Sequence, residues 1–120
     1  MHEVKVTNDH VMRVRIYGVM QVADQQAIQH IAADLLDHDP ELRVLAVLDH
    51  FEGWESSDAW GDDWEFLFKY GSRLSRMAVV CEDRWKDDAL LFAGAGFRGA
   101  SVEYFSDTSL QEAEAWVRAS

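Results

Sequence analysis

The sequence predicts an α/β fold: a mixed, mainly parallel sheet of four or five strands with about four helices, in the order ββαβαβαβα. Three observations carry this prediction. Two stretches near the start alternate apolar with polar residues, as strands buried on one face do. Two later runs, residues 44–48 and 77–81, are apolar without alternation, as strands covered on both faces are. Between and after these runs, apolar residues recur at helical spacing. At 120 residues the chain suits one domain spanning 1–120, with folding burying roughly 65% of the unfolded surface.

The elements follow in order. Residues 3–7 and 11–17 read as a hairpin turning at Asn8-Asp9-His10, with Val4, Val6, Met12, Val14 and Ile16 inward and Arg13 and Arg15 on the other face. Gly18 is expected to end the second strand. Ile28, Ile31, Ala32, Leu35 and Leu36 form an i, i+3, i+4 stripe, and the helix carrying it must stop by residues 37–39, because Pro40 disfavours helical geometry before it. After the buried strand at 44–48, a second helix is expected from Ser56 or Ser57, whose hydroxyls can cap it, to about Tyr70, with Gly71 as its stop. The run 77–81 makes the next strand. Asp83 is expected to cap a short helix carrying Trp85, Ala89, Leu90 and Phe92. Residues 102–105 make the last strand. Ser109 and Glu112 have capping-box spacing ahead of a final helix that places Ala113, Trp116 and Val117 on one face.

Charge narrows the partners. The chain has 22 Asp and Glu against 11 Lys and Arg, a formal net charge of −11, and its cations are scattered singly among carboxylates. Nucleic acid is therefore not an expected partner, and the same field repels anionic membrane surfaces. No apolar stretch reaches the roughly 18 residues of a membrane span, and the start of the chain lacks the pattern of a secretory signal. With the single thiol, Cys81, at the end of an apolar run, the expectation is a cytoplasmic protein with a buried, inert cysteine.

Several motifs carry less than their letters promise. Gly94-Ala95-Gly96-Phe97-Arg98-Gly99 fits G-x-G-x-x-G, but it follows a predicted helix and precedes a strand, the reverse of a dinucleotide loop. His2, His10, His30, His38 and His50 show no i, i+4 pair and no cysteine pair to complete a zinc site, so no metal or other cofactor is expected. Asp49, at the carboxyl end of a buried strand, is read first as a ligand of backbone amides in the loop that follows. With His50 and Glu52 it also forms the one acid/base cluster beside a strand end, which keeps an enzyme as an alternative.

The strongest anomaly lies between residues 51 and 70. Phe51, Trp54, Trp60, Trp64, Phe66, Phe68 and Tyr70 are half of the chain's fourteen aromatics within one sixth of its length. A bulky core is the plain explanation. The functional one is that one sheet face cannot cover them all, so that Phe51, Trp54, Trp60, Trp64 and Phe68 bind an apolar small molecule or a partner protein. Burying one tryptophan in such a contact contributes roughly 2 to 4 kcal/mol.

The stretch Leu48-Asp49-His50-Phe51-Glu52-Gly53-Trp54, with Ala59-Trp60, Arg76-Met77-Ala78-Val79-Val80, Trp85, Val102-Glu103-Tyr104-Phe105, Ala113 and Trp116, resembles the SpoIIAA-like proteins of the STAS-type fold from about residue 3 to residue 117. The resemblance implies a sheet of four or five strands with packed helices, related to anti-sigma-factor antagonists and to CRAL-TRIO lipid-transfer domains, and it implies no reaction. In the antagonists a phosphorylatable serine opens the helix after the central strand, which places Ser56 and Ser57 as phospho-site candidates here. They sit in Glu55-Ser56-Ser57-Asp58, where the acids repel a phosphate that the helix N-terminus attracts. The leading expectation is thus a non-enzymatic binding or regulatory module, with a phosphorylation-responsive regulator as the alternative. A homodimer through the first hairpin's edge strand is a prior expectation.

Overall fold

The structure, a computed structural model, describes residues 1–7, 10–39, 41–56, 76–90 and 101–119. Strand β1 (His2–Val6) pairs antiparallel with β2 (Val11–Met20), and then β3 (Arg43–Trp54), β4 (Arg76–Cys81) and β5 (Ser101–Ser106) add on in parallel, giving a five-stranded sheet in the order β1-β2-β3-β4-β5. Helix α1 (Val22–Leu36) covers one face and α2 (Leu110–Arg118) the other. After β4, a 3-10 turn at Asp83–Trp85 runs into helical residues 86–90. The α/β class and mainly parallel sheet are as expected. Three helical segments are described against the four expected, and the helix placed from Ser56 or Ser57 to Tyr70 lies outside the described residues.

The two faces are chemically distinct because successive strand residues alternate sides. Met12, Val14, Val44, Ala46, Met77 and Val79 point to α1, where they meet Ile28, Ala32 and Leu36. Val11, Leu45, Ala78 and Val80 point to α2, where they meet Ala113 and Val117. Three arginines close this second face over the helix. Arg43 Nη1 donates to the carbonyls of Val117 and Ala119 at 2.8 and 2.6 Å, and Arg76 Nη1 donates to that of Trp116 at 2.7 Å while its guanidinium lies 5.1 Å from the Trp116 ring centre. These bonds satisfy carbonyls that a helix C-terminus leaves open. Arg13 pairs with Glu114 at 2.8 Å.

Four local expectations are corrected. The hydroxyl of Ser109 lies 3.1 Å from that of Ser106 and makes no cap bond to α2, so the capping box with Glu112 does not form. The N-cap position of the turn after β4 is held by Glu82, which makes no side-chain cap bond, and Asp83 is the first residue of the turn. Gly18 does not end β2. It takes a φ of 65° inside the strand, which continues to Met20. Likewise β3 does not stop at Leu48 but runs on to Trp54, carried past an irregular register that sequence patterning does not reveal.

Candidate functional site

That irregular register builds the site. Ile16 pairs with Leu48, Gly18 with Phe51, Val19 with Gly53 and Met20 with Trp54, so β3 has gained two residues on β2 through successive bulges. His50 and Gly53 absorb them with φ of 49° and 112°. Strict alternation from Leu48 would have turned Phe51 to the α2 face. The bulges instead return Phe51, and then Trp54, to the α1 face, where both join the core around Leu48.

There they meet Trp85 from the turn after β4. The three rings stand edge to face, with centroids 4.8 Å apart for Phe51 and Trp54, 5.1 Å for Phe51 and Trp85, and 5.8 Å for Trp54 and Trp85. Each such pair contributes roughly 0.5 to 1.5 kcal/mol beyond its area. A side chain at Gly53 would lie 3.5 Å from Cη2 of Trp85, so the glycine backbone floors the cluster. Phe51 is buried at 2% exposure and stands behind the other two rings, while Trp54 is only partly buried.

Trp54 lines a cavity of about 80 Å³ between the sheet and α1. Its floor is apolar, made by inward residues of β2, β3 and β4 such as Val14, Ala46 and Val79. Its α1 wall carries Ile28 and Ala32 together with two amides, Gln25 and Gln29. Gln29 is 4% exposed, and its Oε1 has no hydrogen-bond partner among the described residues. The Nε1 of Trp85 is also sealed from water without a partner. Asp24, one residue before Gln25, is buried but satisfied: its Oδ2 accepts from the Gln21 amide at 2.8 Å and its Oδ1 from His2 Nδ1 at 2.6 Å.

The cavity and the cluster are carried by a chain whose residues 11–118 match the model of one protein family, described as SpoIIAA-like. The chain belongs to the SpoIIAA-like family. Among solved structures, an uncharacterised protein of the DUF3478 family from Shewanella loihica PV-4, with a SpoIIAA-like fold, superposes with a TM-score of 0.67 over 98% of this chain and 92% of its own, at 19% identity. No curated protein matches the chain. The SpoIIAA-like fold suggests a regulatory or binding module and is generally non-enzymatic.

The other candidates fall elsewhere on this SpoIIAA-like sheet. Asp49 is not bound to loop amides. Its Oδ2 accepts from Arg15 on the opposite face, 3.1 Å from Nε and 3.1 Å from Nη2. His50 Nε2 lies 3.7 Å from Asp49 Oδ1, but the His50 side chain is 86% exposed and Glu52 is exposed as well, so the pair sits on an open surface. Ser56 is exposed just past β3, while Ser57, Trp60, Trp64 and Phe68 lie outside the described residues. Cys81 is fully buried, and burial, with Asp107, Asp83 and Glu82 adding to it, pushes its thiol up to about 11. Among the described residues no His, Cys, Asp and Glu gather as a metal would need, and no helix is long and apolar enough to cross a membrane.

Aromatic density in the sequence marks Phe51 and Trp54 but not their partner Trp85, whose spacing places it on a helix stripe, and it does not mark Gln29. The signal is present: Ile28, Gln29, Ala32 and Leu36 follow helical spacing, and the buried face of α1 is that line, with Gln25, Ile31 and Leu35 only partly covered.

Proposed function

We propose that this chain is a non-enzymatic binding module that holds an apolar small molecule between α1 and the sheet, with Trp54 in the cavity wall and Phe51 packed against it. The single observation that carries this reading is the cavity itself. A half-open pocket of about 80 Å³ lined mainly by apolar side chains leaves them short of the contacts a packed core makes, and an apolar guest supplies those contacts. Its size favours a small apolar group over a whole lipid, since an engineered cavity of about 150 Å³ takes benzene.

The test is a titration of the full chain with short aliphatic ligands such as propane and butane, followed by amide and indole NMR shifts. Wild type is expected to bind with shifts centred on Trp54, Ala46 and Ala32. Ala46→Leu, which fills the cavity from the sheet, should abolish them while retaining a dispersed spectrum. Ala32→Val fills it from α1 and serves if the first variant does not fold. Absence of binding by wild type, or equal binding by a folded filled variant, rejects the reading.

A further inference from the structure

Strand β1 lies at the edge of the sheet, and its outer side has no neighbouring strand among the described residues. The amide of Thr7 donates to the Val11 carbonyl at 2.9 Å and that of Tyr17 to the Met1 carbonyl at 3.0 Å, which fixes the alternation of the ladder between β1 and β2. Odd residues of β1 bond to β2. The N–H and C=O groups of His2, Val4 and Val6 therefore point out from the edge, where they form a template for another strand.

We infer that β1 pairs antiparallel with β1 of a second copy of this chain, about a two-fold axis at Val4, so that the two sheets join as one. Charge selects both the occupant and the register. Centring the pair on Glu3 or on Lys5 bonds only two of the three outward residues and sets that charge against itself. Centring it on Val4 bonds all three, Val4 with Val4 and His2 with Val6, and sets Glu3 of each copy opposite Lys5 of the other. Those charged residues fall at non-bonded positions, where facing side chains come closest. Within one chain Lys5 has no such partner: its neighbour across the ladder is Arg13, and no carboxylate of the described residues pairs with it. Glu3 is 63% exposed, with Arg15 at 3.6 Å on its inner side and its outer side open. Val6, apolar yet 47% exposed, gains His2 of the second copy opposite it and Val4 of that copy on the diagonal. The hairpin also suits contact between copies of a chain of net charge −11, because residues 1–20 carry Lys5, Arg13 and Arg15 against Glu3 and Asp9 alone. The strand is short, so the dimer is weak and concentration-dependent.

The test is sedimentation equilibrium of the full chain over a range of concentrations, with amide exchange followed by NMR. Wild type is expected to approach twice the monomer mass as its concentration rises. Exchange at Val4 and Val6, whose amides face outward, should slow in step, while exchange at Glu3 and Lys5, already bonded to β2, should not change. Lys5→Glu and Glu3→Lys each set like charges opposite one another and should each weaken association by about tenfold. The chain carrying both changes pairs opposite charges again and should recover wild-type association. A wild type that stays monomeric at every concentration overturns the inference. So does a dimer in which Val4 and Val6 exchange as fast as in the monomer, or one that both single variants form as well as wild type does. The exchange comparison needs no variant and decides the matter even if one does not fold.

Discussion

At Gly53 the backbone holds a φ of 112°, a region L side chains rarely adopt, and this residue sets the angle at which Trp54 enters the core. A Cβ there would make only ordinary contact, 3.5 Å from Trp85, so the cost of Gly53→Ala lies in the backbone. It is expected to destabilise the chain by about 1 to 3 kcal/mol in urea denaturation and to shift the Trp54 indole resonance. His50→Gly provides the complementary result. His50 also has positive φ, at 49°, and its side chain is 86% exposed, so the change removes strain without removing packing. It should fall within about 1 kcal/mol of wild type. A Gly53→Ala variant as stable as His50→Gly would mean that the bulge does not depend on its glycine.

Among the elements, α1 depends most on ionisation. Burial alone would raise the pKa of Asp24, but the Gln21 amide, the His2 side chain and the N-terminal ammonium outweigh it and hold the carboxyl below its ordinary value of 3.8. A carboxylate held below its unfolded value stabilises the fold fully above that value, and the contribution is lost as pH falls through the folded pKa. The stability difference between wild type and Asp24→Asn should therefore be constant from pH 7 to about 5 and shrink toward zero below pH 3. Amide exchange should quicken first at Gln21, whose N–H donates to Asp24. A difference that persists undiminished at pH 2 would show that Asp24 acts by shape and not by charge. At the other end of the fold, α2 is held by Arg43 and Arg76, whose bonds reach its last carbonyls from β3 and β4.

On the scale of the whole molecule, the α2 face of the sheet is closely packed among the described residues and the α1 face carries a half-open pocket. The α2 side packs Leu45, Ala78, Ala113 and Val117 at no exposure, whereas the α1 side retains the cavity. Cys81 sits in the core of the cavity-bearing face and reports on its cohesion. With its thiol pushed up to about 11 and no exposed surface, it should resist alkylation at pH 8 in the native state and react once the chain unfolds in denaturant. Labelling that proceeds at the rate of a free thiol would mean that this half of the molecule opens freely, which the packing around Met77, Val79 and Ala89 argues against.

What the sequence determined by itself was every quantity that depends on period: the first hairpin, the stripe on α1, the doubly buried strands and hence a mainly parallel α/β sheet, because periodicity records which faces meet apolar neighbours. It also singled out Phe51 and Trp54 by their density. Tertiary structure decided which way those rings point. Two bulges shift the alternation beyond Leu48, and a bulge shows itself only against the partner strand, as when Gly18 faces Phe51 and Met20 faces Trp54. The same holds for Trp85 and Gln29: contact with a ring 31 residues earlier, or the lack of a donor beside a buried carbonyl, is a property of neighbours in space, which order along the chain does not contain.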